Sequence, residues 1–246
     1  MQQIDKLKSS RLVIYDWDGV LALGSNDVIR SLHQSVLAEL GVSLDEAEER
    51  ARLDAAWGNK HQIVNANLLN ESPHLLEAAN RLYIRRLVNE YPENVRPIKG
   101  GAKLLGRLAV SGYTQALNTA SPTKLLVKKV FPKFGIDPAV FNGGMISAYD
   151  LDEPAQAKPD PYTIRFLMER NGFRPDQTVM VGDSGADVLA AYYCGVDVVV
   201  PLTGNLDRQT AEEEYEVPPD CVIDNVTHLE HALNCLKLLR LNSTHS

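Results

Sequence analysis

The sequence predicts an α/β fold: a Rossmann-like parallel sheet core with helices on both faces, plus an all-helical cap inserted after the first strand. Two patterns predict this fold class. After residue 101, short apolar runs alternate with helical segments, which is typical of a parallel sheet covered on both faces. In residues 27–89, by contrast, apolar residues recur at helical spacing and no convincing strand is found.

The first strand and the helical insertion come first along the chain. Residues 11–15 (RLVIY) form a short apolar run that stops abruptly at Asp16, as a buried parallel strand would. Apolar residues then recur at helical spacing in 32–40, before Gly41, which is a natural end for a helix, and again in 75–87. The chain therefore starts with one core strand and continues into helices.

Two short segments, LALGSN and YPENVRP, border the insertion and are predicted hinges. The longer stretch YPENVRPIKGG contains two prolines and two glycines, so it reads as a linker. These borders predict two domains. Residues 1–22 and 97–246 form the α/β core, and residues 23–96 form the helical cap.

The later core elements follow from the same patterns. Apolar runs that stop at polar or glycine residues are read as strands, and a proline at the first helical position marks a helix start. The predicted elements are, in order, a helix over 102–110, a strand over 113–117, a helix around 124–130, a short strand near 140–141, a helix from Pro161, a strand over 178–181, a helix up to Gly195, a strand over 197–200, a strand over 221–223 and a final helix through 229–236.

The composition excludes several classes of protein. The 246 residues include 25 basic and 32 acidic side chains, and the net charge of −7 argues against broad binding to nucleic acid or anionic membranes. No apolar run reaches the length of about eighteen residues that spans a membrane, and the start MQQIDKLKSS lacks the apolar core of a signal peptide. The three cysteines are too few and too far apart for a disulfide framework or a zinc site, so we expect a cytoplasmic protein. The last six residues, LNSTHS, read as a frayed tail.

Four polar clusters follow predicted strands, and the first is DWDG at residues 16–19. In open parallel sheets ligands bind outside the carboxyl ends of the strands, so residues placed there are candidates for chemistry. Side chains two apart on an extended segment face the same way, so Asp16 and Asp18 can converge. Paired carboxylates suit a nucleophile beside a general acid, or two metal ligands. A strand that ends in an Asp-Gly turn explains the same pattern.

The second and third clusters carry a hydroxyl group and a lysine. In NTAS the Thr119 hydroxyl and free backbone N–H groups can hold a phosphate oxygen, although a helix N-cap at Ser121 also explains the segment. In KPDP two prolines restrict the backbone beside Lys158, which suits a fixed counter-charge to an anion. A solvated lysine in a turn is the alternative.

The fourth cluster is GDSGAD at residues 182–187. Asp183 follows a strand, and Asp187 lies four residues further on, which is the spacing of one helical face. Carboxylates in this arrangement can hold Mg²⁺, because that ion prefers hard oxygen ligands. An Asp or Ser N-cap is the alternative.

In this order, and each at a strand end, the four clusters resemble the motifs of the haloacid dehalogenase (HAD) superfamily, in its phosphoglycolate phosphatase and β-phosphoglucomutase-like branch. DWDGVL matches the first motif, LNTAS the second, the lysine of KPDP the third and VGDSGAD the fourth. The stretches KGGAKLLGRLAVSGY, AAYYCGVDVVV and CVIDNVTHLEHAL also look like this family. The resemblance covers the core from about residue 11 to residue 233.

The resemblance implies a role for each matched residue. Asp16 would be the nucleophile that forms an aspartyl-phosphate. Asp18 would protonate the leaving oxygen and then deprotonate the attacking water. Thr119 and Ala120 would bind the transferring phosphoryl group, and Lys158 would neutralise its charge.

The resemblance also implies Mg²⁺ as the cofactor. The ion would be held by Asp16, the backbone carbonyl of Asp18, and Asp183. Asp187 would either bind the ion directly or contact the residues that bind it. An ionised carboxylate and a phosphate dianion repel one another, and a divalent cation between them removes that barrier and orients in-line attack.

The insertion resembles the family's helical cap, whose closure would exclude water and supply substrate contacts. We expect GNKH (residues 58–61) to be the cap loop and Lys60 to reach the distal part of the substrate; a solvated loop is the alternative. Mutases of this family carry a cap histidine at a place that here holds Ile29. His33 lies nearby but out of register, and we expect it on the surface of its helix.

The sequence therefore predicts a cytoplasmic, Mg²⁺-dependent phosphatase of a small phosphorylated metabolite, with no nucleic-acid or membrane partner. An intramolecular phosphomutase needs the same core residues and is the first alternative. A haloacid dehalogenase needs no metal and lacks the second acid of the first motif, so Asp18 and Asp183 argue against it. A non-catalytic binding protein is the third alternative, but none of the matched acids is lost. The substrate's identity and the oligomeric state do not follow from the sequence.

Overall fold

Six parallel strands form the central sheet. The computed structural model describes residues 11–243, so the expectation about the first ten residues lies outside the described part. In spatial order the strands are β5 (Gly144–Ser147), β4 (Thr114–Thr119), β1 (Leu12–Tyr15), β6 (Thr178–Val181), β7 (Asp197–Pro201) and β8 (Val222–Ile223). The predicted α/β fold with a parallel sheet is confirmed.

Alternation along the strands directs apolar side chains to both faces of the sheet. On one face Val13 and Tyr15 of β1 belong to a core that also contains the helices α5 (Gly101–Val110) and α8 (Leu229–Ser243). On the other face Leu12 and Ile14 pack in a core with α6 (Tyr162–Asn171) and α7 (Gly185–Tyr192). Helices therefore cover both faces, which buries every residue of β1.

Four helices lie between β1 and β4: α1 (Ser25–Glu39), α2 (Glu46–Ala55), α3 (His61–Leu68) and α4 (Leu76–Asn94). The two ends of this helical segment meet in a short antiparallel pair, in which β2 (Ala22–Leu23) faces β3 (Arg96–Pro97). Leu23 is paired with Arg96, so the chain leaves and re-enters the core at one place. The division into a core and a cap at these positions stays a prediction.

The linker predicted at YPENVRPIKGG is wrong in its first part. Helix α4 continues through Tyr91 and Pro92 to Asn94. Both of these side chains are buried, so packing against the rest of the protein holds the helix together despite the proline. Of the proposed linker, only the part after Asn94 lies outside this helix.

Two other local predictions differ from the structure. The strand expected near residues 140–141 is a 3-10 turn, Pro138–Val140, because the Asp137 side chain accepts a hydrogen bond from the Ala139 N–H at 2.9 Å and caps it. The strand lies later, at β5. The tail expected to fray is helical as far as Ser243, and residues 244–246 lie outside the described part.

A helical segment over residues 123–134 follows β4 and contains a π-helical turn, Leu126–Val130. Its Phe131 and Phe134 rings pack against Trp17, with ring centroids 5.1 and 5.3 Å apart. None of the helices in the described part combines the length and apolar character needed to cross a membrane.

Candidate active site

The carboxyl ends of β1, β4 and β6 bring three of the predicted residues together. Asp16 directly follows β1, Thr119 is the last residue of β4, and Asp183 comes two residues after β6. Because β1 lies between β4 and β6, all three residues gather at one edge of the sheet. The backbone N–H of Asp16 donates to the Val181 carbonyl at 2.8 Å, which fixes the start of this loop against β6.

Lys158 lies at the centre of the acidic cluster, only 4% exposed. Its Nζ is 2.6 Å from Asp187 Oδ1 and 3.2 Å from Asp16 Oδ2, and it donates to the Asn118 carbonyl at 3.1 Å. Burial alone would lower the pKa of Lys158, but the charges of Asp16 and Asp187 raise it above its ordinary value. The amino group is therefore a permanent positive charge between two buried carboxylates.

Both carboxylate oxygens of Asp18 accept hydrogen bonds from hydroxyl groups. Tyr91 of α4 donates to Oδ1, and Ser121 donates to Oδ2 at 2.7 Å. Tyr91 in turn accepts from the indole N–H of Trp17 at 2.9 Å. Burial raises the pKa of Asp18, and the hydrogen bonds from Tyr91 and Ser121 act in the opposite direction. These contacts orient the second acid of the first motif with residues that are distant in sequence.

Asp183 is held in a narrow cradle. Its Oδ2 accepts from Asn26 Nδ2 at 3.0 Å, and from the backbone N–H and Nδ2 of Asn205 at 2.8 and 3.2 Å. A Cβ atom at Gly19, whose φ is +75°, or at Gly204 would overlap the Asp183 carboxylate. Two glycines are thus needed for the backbone to approach this side chain.

The acids of this cluster match the requirements of a magnesium site. Carboxylate oxygens of Asp16, Asp183 and Asp187 all lie within 4.8 Å of one another, and the three residues are buried. Hard oxygen donors at this density are what Mg²⁺ prefers. Asp187 is already engaged, because its Oδ1 pairs with Lys158 and its Oδ2 accepts from Ser184 Oγ at 2.6 Å. The donor set fits the ion.

The electrostatics of the cluster also favour a cation. Burial raises the pKa of Asp16 well above its ordinary value; Lys158 lowers it, and the neighbouring carboxylates raise it further. Burial and the charge of Asp187 raise the pKa of Asp183 to about 7. Carboxylates that are buried close together repel one another when all of them are ionised, which raises their pKa values. A divalent cation among them would offset this repulsion and favour the ionised forms.

Thr119 is the last residue of β4, so this strand extends further than the one expected over 113–117. The buried Thr119 hydroxyl accepts a hydrogen bond from the Ser121 N–H at 2.9 Å. Ala120 borders the space next to Asp16 and Asp18. The phosphate-binding roles of Thr119 and Ala120 stay predictions.

Two small cavities adjoin the cluster. The first, of about 30 Å³, we call the acid cavity. It is lined by Asp16, Asp18, Asn26, Ile29, Trp57, Gly58, Ala120, Lys158, Asp183, Ser184 and Ala186. The second, of about 40 Å³, we call the ring chamber. It is lined by Ile29, His33, Trp57, Gly58, Asn59, His61, Val64, Tyr83, Leu87, Ala120, Ser121, Pro122 and Tyr149.

The cap loop GNKH approaches both cavities. Gly58 lines both, and Asn59 and His61 line the ring chamber. Lys60 is half-buried, precedes the first residue of α3, and is not among the described residues that line either cavity. Its contact with the distal part of the substrate stays a prediction.

The prediction for His33 is wrong. This residue is 2% exposed and faces the ring chamber rather than solvent. Its ring stacks on Tyr83 with centroids 4.3 Å apart, and its Nδ1 lies 2.9 Å from Asn65 Oδ1. Packing between helices α1, α3 and α4 therefore buries a histidine that the sequence pattern placed outside.

Sequence reasoning missed several residues that contact the acids. Tyr91 and Asn26 lie in the helical insertion, yet they hydrogen-bond to Asp18 and Asp183 of the core. Tyr149, which meets His61 across the ring chamber, was also missed. No local pattern marks these side chains, because only the folding of distant segments brings them to the site.

Comparisons with known proteins agree with this geometry. Residues 13–200 match the family model described as haloacid dehalogenase-like hydrolase. A phosphoglycolate phosphatase from Agrobacterium fabrum is 30% identical over 229 residues, which cover 91% of this chain and 92% of that protein. The structure of a predicted phosphoglycolate phosphatase from Haemophilus somnus has a TM-score of 0.67 and 25% identity, covering 90% of this chain and 96% of that one.

A structure described as a putative β-phosphoglucomutase from Bacteroides vulgatus shares the fold, with a TM-score of 0.69, 17% identity, and coverage of 93% of this chain and 91% of that one. The chain belongs to the haloacid dehalogenase-like hydrolase family. Within that family it is similar to phosphoglycolate phosphatases, and it is a phosphatase.

Proposed function

We propose that the protein is a Mg²⁺-dependent phosphatase that hydrolyses the phosphomonoester of a small metabolite through an aspartyl-phosphate on Asp16. One observation carries this proposal. The Asp16 carboxylate stands at the end of the central strand, 3.2 Å from the buried Lys158 amino group and beside Asp18 and Asp183. This arrangement offers a nucleophile, a proton donor, a fixed positive charge and oxygen ligands within one enclosed space.

Asp16 is the nucleophile in this proposal. Its Oδ1 accepts the Trp17 backbone N–H at 2.7 Å, so the carboxylate is oriented before substrate binds. A carboxylate oxygen attacks phosphorus, and the bond from phosphorus to the ester oxygen breaks. Lys158 and the Thr119 hydroxyl stabilise charge on the phosphoryl oxygens.

Asp18 handles protons. An alkoxide is a poor leaving group, so Asp18 gives its proton to the ester oxygen as the first bond breaks. It then takes a proton from the water that hydrolyses the aspartyl-phosphate, which restores both acids. The hydroxyl groups of Tyr91 and Ser121 hold the two oxygens of Asp18 in place for both steps.

The magnesium ion would be held by Asp16, Asp183 and the backbone carbonyl of Asp18. When bound, it supplies charge neutralisation between carboxylate and phosphate. In this proposal Asp187 serves Lys158 rather than the ion, because its Oδ1 lies closer to the Lys158 amino group than Asp16 does, at 2.6 against 3.2 Å, and its Oδ2 accepts from both the backbone N–H and the hydroxyl group of Ser184.

Hydrolysis is favoured over phosphomutase activity by one residue. Ile29 lines both the acid cavity and the ring chamber, at the place where the mutases carry a histidine. An apolar side chain cannot transfer a proton to or from a sugar hydroxyl. We also propose a cytoplasmic location, which the three free cysteines support.

The test is hydrolysis of p-nitrophenyl phosphate with and without metal. We expect activity with added Mg²⁺, loss of activity after exhaustive chelation, and recovery when Mg²⁺ is restored. The matched control is Asp160→Asn, because Asp160 is an exposed acid close to Lys158 in sequence that lines neither cavity. This variant should keep both the activity and its dependence on Mg²⁺. Full turnover by the chelated protein would contradict the proposal.

A further inference from the structure

The lining of the ring chamber is uncharged. None of its described lining residues is Lys, Arg, Asp or Glu, although the adjoining acid cavity contains four charged side chains. The two spaces share Ile29, Trp57, Gly58 and Ala120, so a molecule whose phosphate lies among the acids extends its leaving group into the ring chamber. This inference rests on the proposed function and concerns the chemistry of that leaving group.

Four rings from separate segments line one side of the ring chamber. Tyr83 lies between His33 and His61, with centroids 4.3 and 5.0 Å away, and His61 also stacks on Tyr149 at 5.5 Å. Stacked rings present flat apolar faces together with polar edges. The chamber therefore suits a compact group that has carbon atoms and a few hydrogen-bonding atoms.

Both histidines are held as neutral hydrogen-bonding groups. His33 Nδ1 faces Asn65 Oδ1 at 2.9 Å, and the Asn65 amide nitrogen is fixed by its bond to Asn80. A neutral imidazole carries its proton on one of its two nitrogens. Because Asn65 Oδ1 can only accept a hydrogen bond, the proton of His33 lies on Nδ1, and Nε2 is left as an acceptor. His61 Nδ1 meets the Tyr149 hydroxyl at 2.7 Å. Burial lowers the pKa of both His33 and His61 to about 4, in agreement with this assignment.

Two cations of the helical insertion, Arg30 and Lys60, adjoin residues of the ring chamber without lining it. The Arg30 guanidinium is paired with Asp54 at 3.0 Å and lies over the Trp57 ring, 4.4 Å from its centroid, and Arg30 does not line the chamber. Lys60 adjoins His61 in sequence but does not line the chamber. A carboxylate in this space would lose its water without gaining a charged partner, which is costly, whereas a hydroxyl group can be satisfied by neutral partners.

We propose that the leaving group is uncharged and carries a hydroxyl group, which His33 and His61 bind in the ring chamber. The chamber has room for only a few water molecules as it stands, so a substrate enters when the contact between His61 of the helical insertion and Tyr149 of the core opens. The substrate class is thus the phosphate ester of a small neutral alcohol rather than of a hydroxy acid.

The test compares two substrates of nearly equal size: 2-hydroxyethyl phosphate, which releases a neutral diol, and 2-phosphoglycolate, which releases a hydroxy acid. We expect kcat/KM to be at least about tenfold higher for the neutral ester. A tenfold ratio corresponds to about 1.4 kcal/mol, which is less than the cost of burying a carboxylate without a charged partner. Equal values, or a preference for phosphoglycolate, would overturn the inference.

Introducing a cation tests the cause of this preference. Asn59→Lys places an amino group at the chamber wall in a half-buried loop, and Val64→Lys does so from helix α3. Either variant should shift the ratio toward phosphoglycolate by about tenfold, whereas Val110→Lys, at a 92% exposed site on α5, should leave it unchanged. A ratio unmoved in both folded chamber variants would contradict the inference.

Two further variants test whether the acceptor on His33 or the amino group of Lys60 determines the substrate preference. His33→Phe keeps an aromatic ring against Tyr83 but removes the acceptor, so it should lower kcat/KM for 2-hydroxyethyl phosphate more than for p-nitrophenyl phosphate. If phosphoglycolate is preferred and Lys60→Gln abolishes that preference, Lys60 is the missing cation and the inference is wrong. If no phosphate ester is hydrolysed with Mg²⁺, the proposed function fails instead.

Discussion

The acid cavity and the ring chamber lie side by side, share four lining residues, and differ completely in charge. In the acid cavity, Lys158 and three carboxylates are crowded together; burial raises the pKa values of the three acids, and the charges of Asp16 and Asp187 raise the pKa of Lys158. In the ring chamber, burial lowers the pKa values of His33 and His61 to about 4, so both rings are neutral at pH 7. Under the two proposals above, the acid cavity performs the chemistry and the ring chamber selects the leaving group.

The two regions are also held in different ways. The acids stand on strand ends and on the loops that directly follow them, so a continuous sheet fixes their separation. The ring chamber instead contains side-chain contacts between the insertion and the core, such as His61 with Tyr149. Substrate-dependent movement is therefore expected at the chamber, and a constant geometry is expected at the acids.

The largest expected effect concerns the charged region. Asp18→Asn removes the proton donor but keeps the backbone carbonyl proposed to hold the ion. Hydrolysis of an alkyl phosphate should fall by about 10²–10⁴-fold, the usual range for general acid–base catalysis. The first step with p-nitrophenyl phosphate should suffer less, because its leaving group needs little protonation. Equal loss of single-turnover rate on both substrates would show that Asp18 has another role.

The burial of His33 in the ring chamber should be measurable in the pH dependence of the free energy of unfolding. The pKa of His33 in the folded protein, about 4, lies below its ordinary value of 6.5. The unfolded chain therefore binds the proton more readily than the folded protein does. The contribution of neutral His33 to the free energy of unfolding is complete above pH 6.5 and is lost as the pH falls toward 4. The loss should reach about 2 kcal/mol at pH 5 and about 3 kcal/mol at pH 4.

Urea unfolding at several pH values measures this contribution as the difference between wild type and His33→Gln. The exposed His74 supplies the control, because His74→Gln should retain the full pH dependence of the wild type. A wild-type advantage over His33→Gln that stays constant from pH 7 to pH 4 would contradict the neutral, buried state of His33.

The smallest expected effect concerns a contact that joins the two regions. Tyr91→Phe removes the hydroxyl group of α4 that donates to Asp18. A hydrogen bond to a charged group contributes about 1.5–3 kcal/mol, so kcat on an alkyl phosphate should fall by about 10- to 150-fold, with little change in KM. Tyr162→Phe, at a 40% exposed tyrosine, is the matched control. Unchanged kcat in Tyr91→Phe would show that Ser121 alone is sufficient to hold Asp18.

The sequence predicted the charged region far better than the neutral one. Asp16, Asp18 and Asp183 follow strands, Lys158 lies beside two prolines, and Asp187 lies in the first turn of α7; short motifs record such positions. The parallel sheet then brings them together without any further information. Their assembly at one edge was therefore predictable, while their catalytic roles stay predictions.

The ring chamber was not predictable in the same way. His33 occupies a helix position that the sequence pattern assigned to solvent, and only the packing of three helices buries it. Tyr91 and the proline after it were predicted to lie in a linker, yet both are buried within helix α4. Tyr149 lies in a short 3-10 turn, Ala148–Asp150, that no motif marks. Contacts between distant segments determine all three, and no local spacing encodes them.

The most direct test of the account is to trap the phosphoenzyme. Asp18→Asn protein is mixed with p-nitrophenyl phosphate and Mg²⁺, quenched in acid, digested and examined by mass spectrometry, with the double variant Asp16→Asn/Asp18→Asn as the control. We predict a phosphoryl group on Asp16 in the single variant and none in the double variant. A phosphoryl group on another residue, or equal labelling of the two proteins, would contradict the assignment of Asp16 as the nucleophile.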